Sequence, residues 1–292
     1  YDEAIGMKRI LFSLAVMGAL AMAAFIAFGP GRTPPTSLKI VSGSENRALQ
    51  PIIEEWASDN GVDVAVTYLG SVDIARELAK GPDTVYDAVW PANSLWIELG
   101  DTARIVKHRE SILRSPVVLG LRRSIAERLG WIGREDVTVQ MIQQAARDNA
   151  FRLAMTSATQ SNSGASAYFG FLYAAAGNPD VLTLEHLAEP GVQATVRDLL
   201  SQIDRSSGSS GWLKDSYVGA PGIFDAMLNY EALVIEANRD LVARGEEPFY
   251  AIYPANGLSV ADSPLGYVDK GDAAKEAAFL ALQEHLLTTD TQ

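Results

Sequence analysis

The sequence predicts an α/β fold in two lobes, each a mixed, mostly parallel sheet flanked by helices. Three observations lead there. From Ser37 onward short apolar runs alternate with helical stretches, the pattern of strands joined through crossover helices. Successive runs end in small polar residues where the next helix starts, as at Ser44, Ser71 and Asn93. And 292 residues, 48% of them hydrophobic, can bury two cores.

In order, a strand over 38–41 runs into the polar turn 42–46. The helix that follows carries Leu49, Ile52, Ile53 and Trp56 at helical spacing, tolerates Pro51 only near its start, and stops at Asn60-Gly61. A strand over 62–69 leads to a helix over 72–80, which Ser71 caps, and Gly81-Pro82 breaks the chain. The strand 86–90 precedes a short helix that Asn93 caps. The continuous apolar strand 115–121 reads as the passage into a second lobe, with helices over 124–129 and 139–146.

The stretch 155–168 is the clearest functional signal. A buried strand, 151–155, ends in Thr156-Ser157 and in Ser161-Asn162-Ser163 before a helix over 165–176. Hydroxyl and amide groups there crowd the orphan N–H donors and positive end of a helix, a place suited to an anion or to an ordinary cap by Ser161, Asn162 or Ser163. Beyond it, 184–203 is helical with a break at Pro190-Gly191, and 206–211 reads as a mobile Ser/Gly loop. A strand over 223–228 ends in Asn229-Tyr230-Glu231, a helix covers 232–238, strands follow at 248–253, 258–261 and 265–268, and an amphipathic helix closes at 273–287. Of the tryptophans, Trp56 and Trp96 read as core, and Trp90 and Trp212 as cleft residues.

The N-terminus carries a different signal. Lys8 and Arg9 precede an apolar run to Phe28, with Met7 as the natural start: an export pattern nearly long enough to span a bilayer. Pro30 spoils the nearest cleavage site, so an uncleaved membrane anchor over 7–29 is expected, with the rest of the chain outside the cytoplasm. The boundaries expected are 1–36 for signal or anchor and linker, 37–114 with 239–292 for lobe 1, and 115–238 for lobe 2. The ending at 288–292 and a first residue other than methionine read as a piece of a longer protein.

A net charge of −12 argues against a nucleic-acid partner. The absence of cysteine removes thiol catalysis, zinc-thiolate sites, disulfides and a lipoprotein end. His108, His186 and His285 are scattered, so no metal site and no cofactor is expected. With no nucleophile elbow, zincin or phosphate-loop motif, nothing in the chain calls for catalysis by Asp87, Glu231 or Asp262.

The element order, with its polar turns at 42–46, 70–71 and 156–163 and the segment Tyr86-Asp87-Ala88-Val89-Trp90, resembles the bacterial extracellular solute-binding proteins of the type II periplasmic-binding-protein fold. That group includes the molybdate, sulfate and phosphate receptors of ABC importers. The phrases Tyr253-Pro254-Ala255-Asn256-Gly257 and Ala261-Asp262-Ser263-Pro264 resemble the subgroup found ahead of von Willebrand factor A modules. The resemblance implies two crossover strands, a ligand clamped by hinge closure and a permease partner. It implies that Ser44 and Ser71 are hydroxyl ligands, that Tyr230 is a pocket tyrosine, and that Ser161, Asn162 and Ser163 hold an oxyanion from the second lobe. Asn93, Glu231 and Asp262 complete the expected ligand-binding set.

One departure weighs against an anion. Glu231, Asp225 and Asp262 fall near the expected cleft, and two carboxylates turned inward favour an amine, a metal ion or a peptide-like cation. The rival function is a membrane-anchored interaction or sensing module with this fold and no transported ligand.

Overall fold

The computed structural model describes residues 36–288, so the expected anchor over 7–29 lies outside the described residues. Among the described residues no helix is long and apolar enough to cross a membrane.

The first sheet has the order β2-β1-β3-β11-β4. Its parallel half is β1 (Ser37–Gly43) between β2 (Asp63–Leu69) and β3 (Ala88–Trp90). Two antiparallel strands extend it, β11 (Pro264–Val268) and β4 (Val106–Ser111), and no sequence signal had marked the latter. Alternation along β1 sends Leu38 and Ile40 to one face and Val41 to the other. The first face packs on α1 (Gln50–Asn60) through Ile53 and Trp56, and on α11 (Ala273–Leu286) through Phe279 and Leu282. The other face packs on α2 (Ser71–Leu78) and α3 (Ser94–Gly100) through Ile74, Leu78 and Ile97.

The second sheet has the order β10-β5-β8-β6-β7, with β9 also paired to β5. Its parallel half is β8 (Ala226–Tyr230), β6 (Leu153–Thr156) and β7 (Ile203–Ser207). β5 (Ser115–Arg122) runs antiparallel to β8, β9 (Phe249–Ile252) and β10 (Val260–Ala261). One face is covered by α4 (Arg123–Arg128), α5 (Val139–Arg147), α6 (Asn162–Ala175), the short α7 (Leu184–Ala188) and α8 (Pro190–Ser201). The other is covered by α9 (Ser210–Gly219) and α10 (Glu231–Ala243). Pro190 separates α7 from α8, as its missing N–H requires.

Two readings change. Residues 239–261 were expected in the first lobe, yet β9 and β10 pair with β5, and α10 packs on the same core. The chain therefore returns to the first sheet only after β10. Second, 206–211 is no loop: it is the end of β7, a turn, and the first residues of α9.

The sheets are joined twice, by residues 112–114 between β4 and β5 and by Asp262-Ser263 between β10 and β11. Ser263 is buried and holds φ at +40°, an unusual value for a residue with a Cβ. Four hydrogen bonds pin it. Its N–H donates to Ala92 O (2.9 Å) and its Oγ to Asn46 Oδ1 (3.1 Å), while its carbonyl accepts from Trp90 Nε1 (3.1 Å) and Ile112 N (3.2 Å).

Candidate functional site: a hydroxyl-lined crevice between the lobes

The parallel strands of both sheets end facing each other. Ser42, Ser44, Asn46, Ser71, Thr156, Ser161, Asn162, Ser163, Ser209, Ser210, Asn229 and Tyr230 are all buried there, though their side chains are polar and uncharged. So much buried polarity persists because it is hydrogen-bonded within itself.

On the second lobe the hydroxyls form a connected cluster. Ser163 Oγ lies 2.8 Å from Thr156 Oγ1 and 2.7 Å from Ser210 Oγ, and Ser161 Oγ lies 3.0 Å from Ser210 Oγ. Asn162 Nδ2 donates to Tyr230 OH at 2.9 Å, and Asn229 Nδ2 donates to Ser210 O at 3.0 Å. Burial pushes the Tyr230 phenol well above its ordinary range, with the charge of nearby Glu45 adding to the rise.

On the first lobe Ser71 Oγ accepts from Ala92 N at 3.0 Å. Ser44 Oγ accepts from Ser209 Oγ (2.6 Å) and from Gly211 N (3.0 Å), both across the lobe boundary. A hydroxyl has one proton and two lone pairs, so Ser44 keeps only its proton for a further partner. Further contacts cross the boundary, among them Trp96 Nε1 donating to Asn162 Oδ1 (2.7 Å) and Val72 N to Gln160 O (3.4 Å). Gly70 makes this approach feasible, because a Cβ there would collide with the Gln160 carbonyl oxygen. The lobes are closed on each other. At their junction Ser44, Gly70 and Gln160, with Arg47, Tyr68 and Trp212, line a cavity of about 170 Å³.

The helix ends here differ from the expectation of capped turns. Gly70, not Ser71, is the N-cap of α2, and Ser161 sits at the N-cap of α6 without capping it. Ser209 at α9 behaves likewise. None of the three helices takes a side-chain cap from its own N-cap residue, but Val72 N of α2 already donates to Gln160 O and Gly211 N of α9 to Ser44 Oγ, so the first turn of α6 is the least engaged of the three. Asn93 does cap α3, accepting from Leu95 N at 2.9 Å.

The expected residues divide accordingly. Ser44, Ser71, Ser161, Asn162, Ser163 and Tyr230 come together. Asn93 is spent on its cap and on Val260 O (3.4 Å). Asp262 accepts from Ser94 N at 2.8 Å, Glu231 accepts a hydrogen bond from the Tyr253 hydroxyl, and Asp225 pairs with Arg152 at 2.9 Å. None of these three carboxylates is among the crevice residues, but Asp73 lines the junction cavity and Glu45 lies near Tyr230. Asp87 is held by Lys275 (2.9 Å) and by Lys39 N (2.9 Å). Trp90 is core, and Trp96 is the cleft residue of the pair, the reverse of the helical-face reading.

Sequence reasoning missed Ser209 and Ser210, hidden in linker-like composition, and Glu45. The Glu45 side chain is only partly buried as a whole, but its Oε1 is sealed from solvent and has no hydrogen-bond partner. Its carboxylate lies against Gly43, where a Cβ would strike it. Burial pushes this carboxyl up to about 7, its own backbone N–H acting the other way.

Residues 38–292 match the family described as bacterial extracellular solute-binding protein. No curated protein sequence shows a significant match. Among solved structures, the sulfate-binding protein SubI from Mycobacterium tuberculosis superposes with a TM-score of 0.60 at 17% identity, over 88% of this chain and 83% of that one. The periplasmic molybdate-binding protein of Azotobacter vinelandii gives 0.57 at 16%, over 87% and 94%. The periplasmic binding protein AfuA from Actinobacillus pleuropneumoniae, with fructose-6-phosphate bound, gives 0.63 at 10%, over 86% and 79%. At such identities the likeness is one of fold: two-lobed periplasmic binding proteins.

Proposed function

Because this chain belongs to the family of bacterial extracellular solute-binding proteins, we propose that it captures a small oxyanion between its lobes by hinge closure and presents it to an ABC-type permease. The coarser statement stands on the family itself: a type II solute-binding protein acting outside the cytoplasm on a small-molecule ligand, in a family of binding proteins rather than enzymes.

The observation that carries the oxyanion reading is the convergence on one junction of the N-termini of α2, α6 and α9, none capped by its own N-cap side chain, with buried neutral hydroxyls. Such a cradle solvates negative charge through partial charges and needs no countercharge. The ligand-contacting set proposed is Ser44, Ser71, Ser161, Asn162, Ser163 and Tyr230, with Ser210 added. Neighbours named for sulfate and molybdate, and one holding a sugar phosphate, agree with an oxyanion-bearing ligand.

The lobes proposed are 37–111 with 264–288, and 115–261, hinged at 112–114 and 262–263. The export run over 7–29 is proposed to stay uncleaved as an anchor, and the 253–257 and 261–264 phrases support the subgroup beside von Willebrand factor A modules.

The test is thermal unfolding of the full chain against molybdate, tungstate, sulfate and phosphate. A ligand at a hundred times its dissociation constant stabilises by about 2.7 kcal/mol, a shift of a few degrees. The expected result is a shift with at least one oxyanion, abolished by Ser44→Ala with Ser71→Ala. If no oxyanion shifts the wild type or the Glu45→Gln variant, the oxyanion reading fails and the anchored interaction module takes its place.

A further inference from the structure

We infer that the ligand is an organic oxyanion, a phosphate- or sulfate-type group borne on an uncharged planar ring, and that Trp212, Tyr68 and Arg47 hold the ring. The inference rests on the oxyanion reading above and narrows its substrate class.

The junction cavity has two kinds of wall. Ser44, Gly70 and Ser209 bring the hydroxyls and helix starts already described, whereas Arg47, Tyr68 and Trp212 bring three planar groups. Trp212 stands in the first turn of α9 and is 59% exposed, and among the described residues it has no ring partner. An indole left open on a cavity wall is a surface for a ligand to cover. Tyr68 is the better fixed of the two rings. The Arg47 guanidinium lies over it, 5.2 Å from the centroid, and its hydroxyl donates to Gln50 Oε1 at 3.2 Å.

Size and charge point the same way. The cavity of about 170 Å³ suits one six-membered ring, since a void of about 150 Å³ admits benzene. The two charges in its lining have partners outside it: Arg47 pairs with Asp215 at 3.4 Å, and Asp73 with Arg76 at 2.5 Å. Nothing in this wall therefore asks for a charged substituent on the ring. Indole, phenol and guanidinium each gain from a π face laid against them, and an inorganic tetrahedral anion has no such face. Ser44 and Ser209 line the cavity and also join the interlobe hydroxyls, so an anionic group bonded directly to a ring reaches both walls.

The experiment is calorimetry on the full chain at pH 7.5. Phenyl phosphate and phenyl sulfate are compared with inorganic phosphate and sulfate, and with the cyclohexyl esters, which match the ring in size but lack its π face. The result expected is that one phenyl ester binds at least tenfold more tightly than its parent anion and at least fivefold more tightly than its cyclohexyl counterpart. The ester preferred names the anionic group. In Trp212→Ala the phenyl ester loses at least fivefold in affinity, while its parent anion stays within twofold of wild type. Tyr68→Leu repeats that loss without altering α9. A phenyl ester that binds no better than its parent anion or its cyclohexyl counterpart overturns the inference and leaves the oxyanion reading standing. A ring preference unmoved in both variants does the same. Binding of none of these probes also overturns it, and if molybdate and tungstate fail as well, the oxyanion reading falls with it.

Discussion

The two lobes meet the crevice with equal numbers of strand ends but in opposite states of completion. The second lobe's polar groups satisfy one another: Thr156, Ser163, Ser210 and Ser161 form one chain of hydroxyls, and Asn162 holds Tyr230. On the first lobe Ser71 and Asn46 are likewise bonded locally, but two neighbours are not. Ser44 takes both its bonds from the opposite lobe, and Glu45 Oε1 has none. The second lobe's hydroxyl chain is thus self-contained, whereas Ser44 and Glu45 on the first lobe depend on what faces them.

The sharpest way to break this contrast is to complete the first lobe artificially. In Glu45 the folded carboxyl has risen from 4.5 to about 7, so between those values the folded state holds a proton that the unfolded state has lost. The resulting destabilisation is absent below about pH 4.5, grows as pH rises, and reaches up to about 3 kcal/mol above about pH 7. Glu45→Gln should therefore raise stability at pH 8 and flatten the slope of unfolding free energy between pH 4.5 and 7. Urea melts across that range measure it, and an unchanged slope would mean the carboxyl is solvated.

The next effect attacks the cradle. Asn162→Ala strips the Trp96 indole and the Tyr230 hydroxyl of a partner, at a cost of about 2 kcal/mol. Denaturant melts should show it, and a loss below about 0.5 kcal/mol would mean water replaces the amide.

Gly70→Ala sharpens the comparison differently. A methyl pressed on the Gln160 carbonyl opposes closure by about 1–2 kcal/mol, weakening ligand binding by about five- to thirtyfold while the melting of the unliganded chain barely moves. Equal losses in both would show that Gly70 serves lobe folding. Smallest is Arg47→Ala: its pair with Asp215 is exposed on both sides and contributes only a few tenths of a kcal/mol. Salt titration of closure should show no difference between this variant and wild type.

The contrast also explains which residues could be found before the structure. Ser44, Ser71, Ser161, Asn162, Ser163 and Tyr230 stand where an apolar run gives way to a helix, a local pattern, and so they were legible. Ser209 and Ser210 obey the same rule, but their Ser/Gly neighbourhood has the composition of a linker, and β7 before them, IDRSS, lacks an apolar signature. Glu45 was invisible for another reason. An acidic residue in a first helical turn is the ordinary complement to the helix dipole, and only tertiary burial turns it into an orphan. Residues 239–261 were placed in the wrong lobe because strand pairing is non-local: nothing in 249–252 tells whether it will pair with β5 or β11.

The Trp96–Asn162 bond has an optical consequence. Trp56, Trp90 and Trp131 are buried within single cores, and Trp212 stands 59% exposed. Trp96 alone of these donates its indole N–H across the lobe boundary, so the opening proposed above would pass it from a protein acceptor to water. If the lobes close on a ligand as proposed, emission from a variant keeping only this indole would report capture and release in real time, with no label attached.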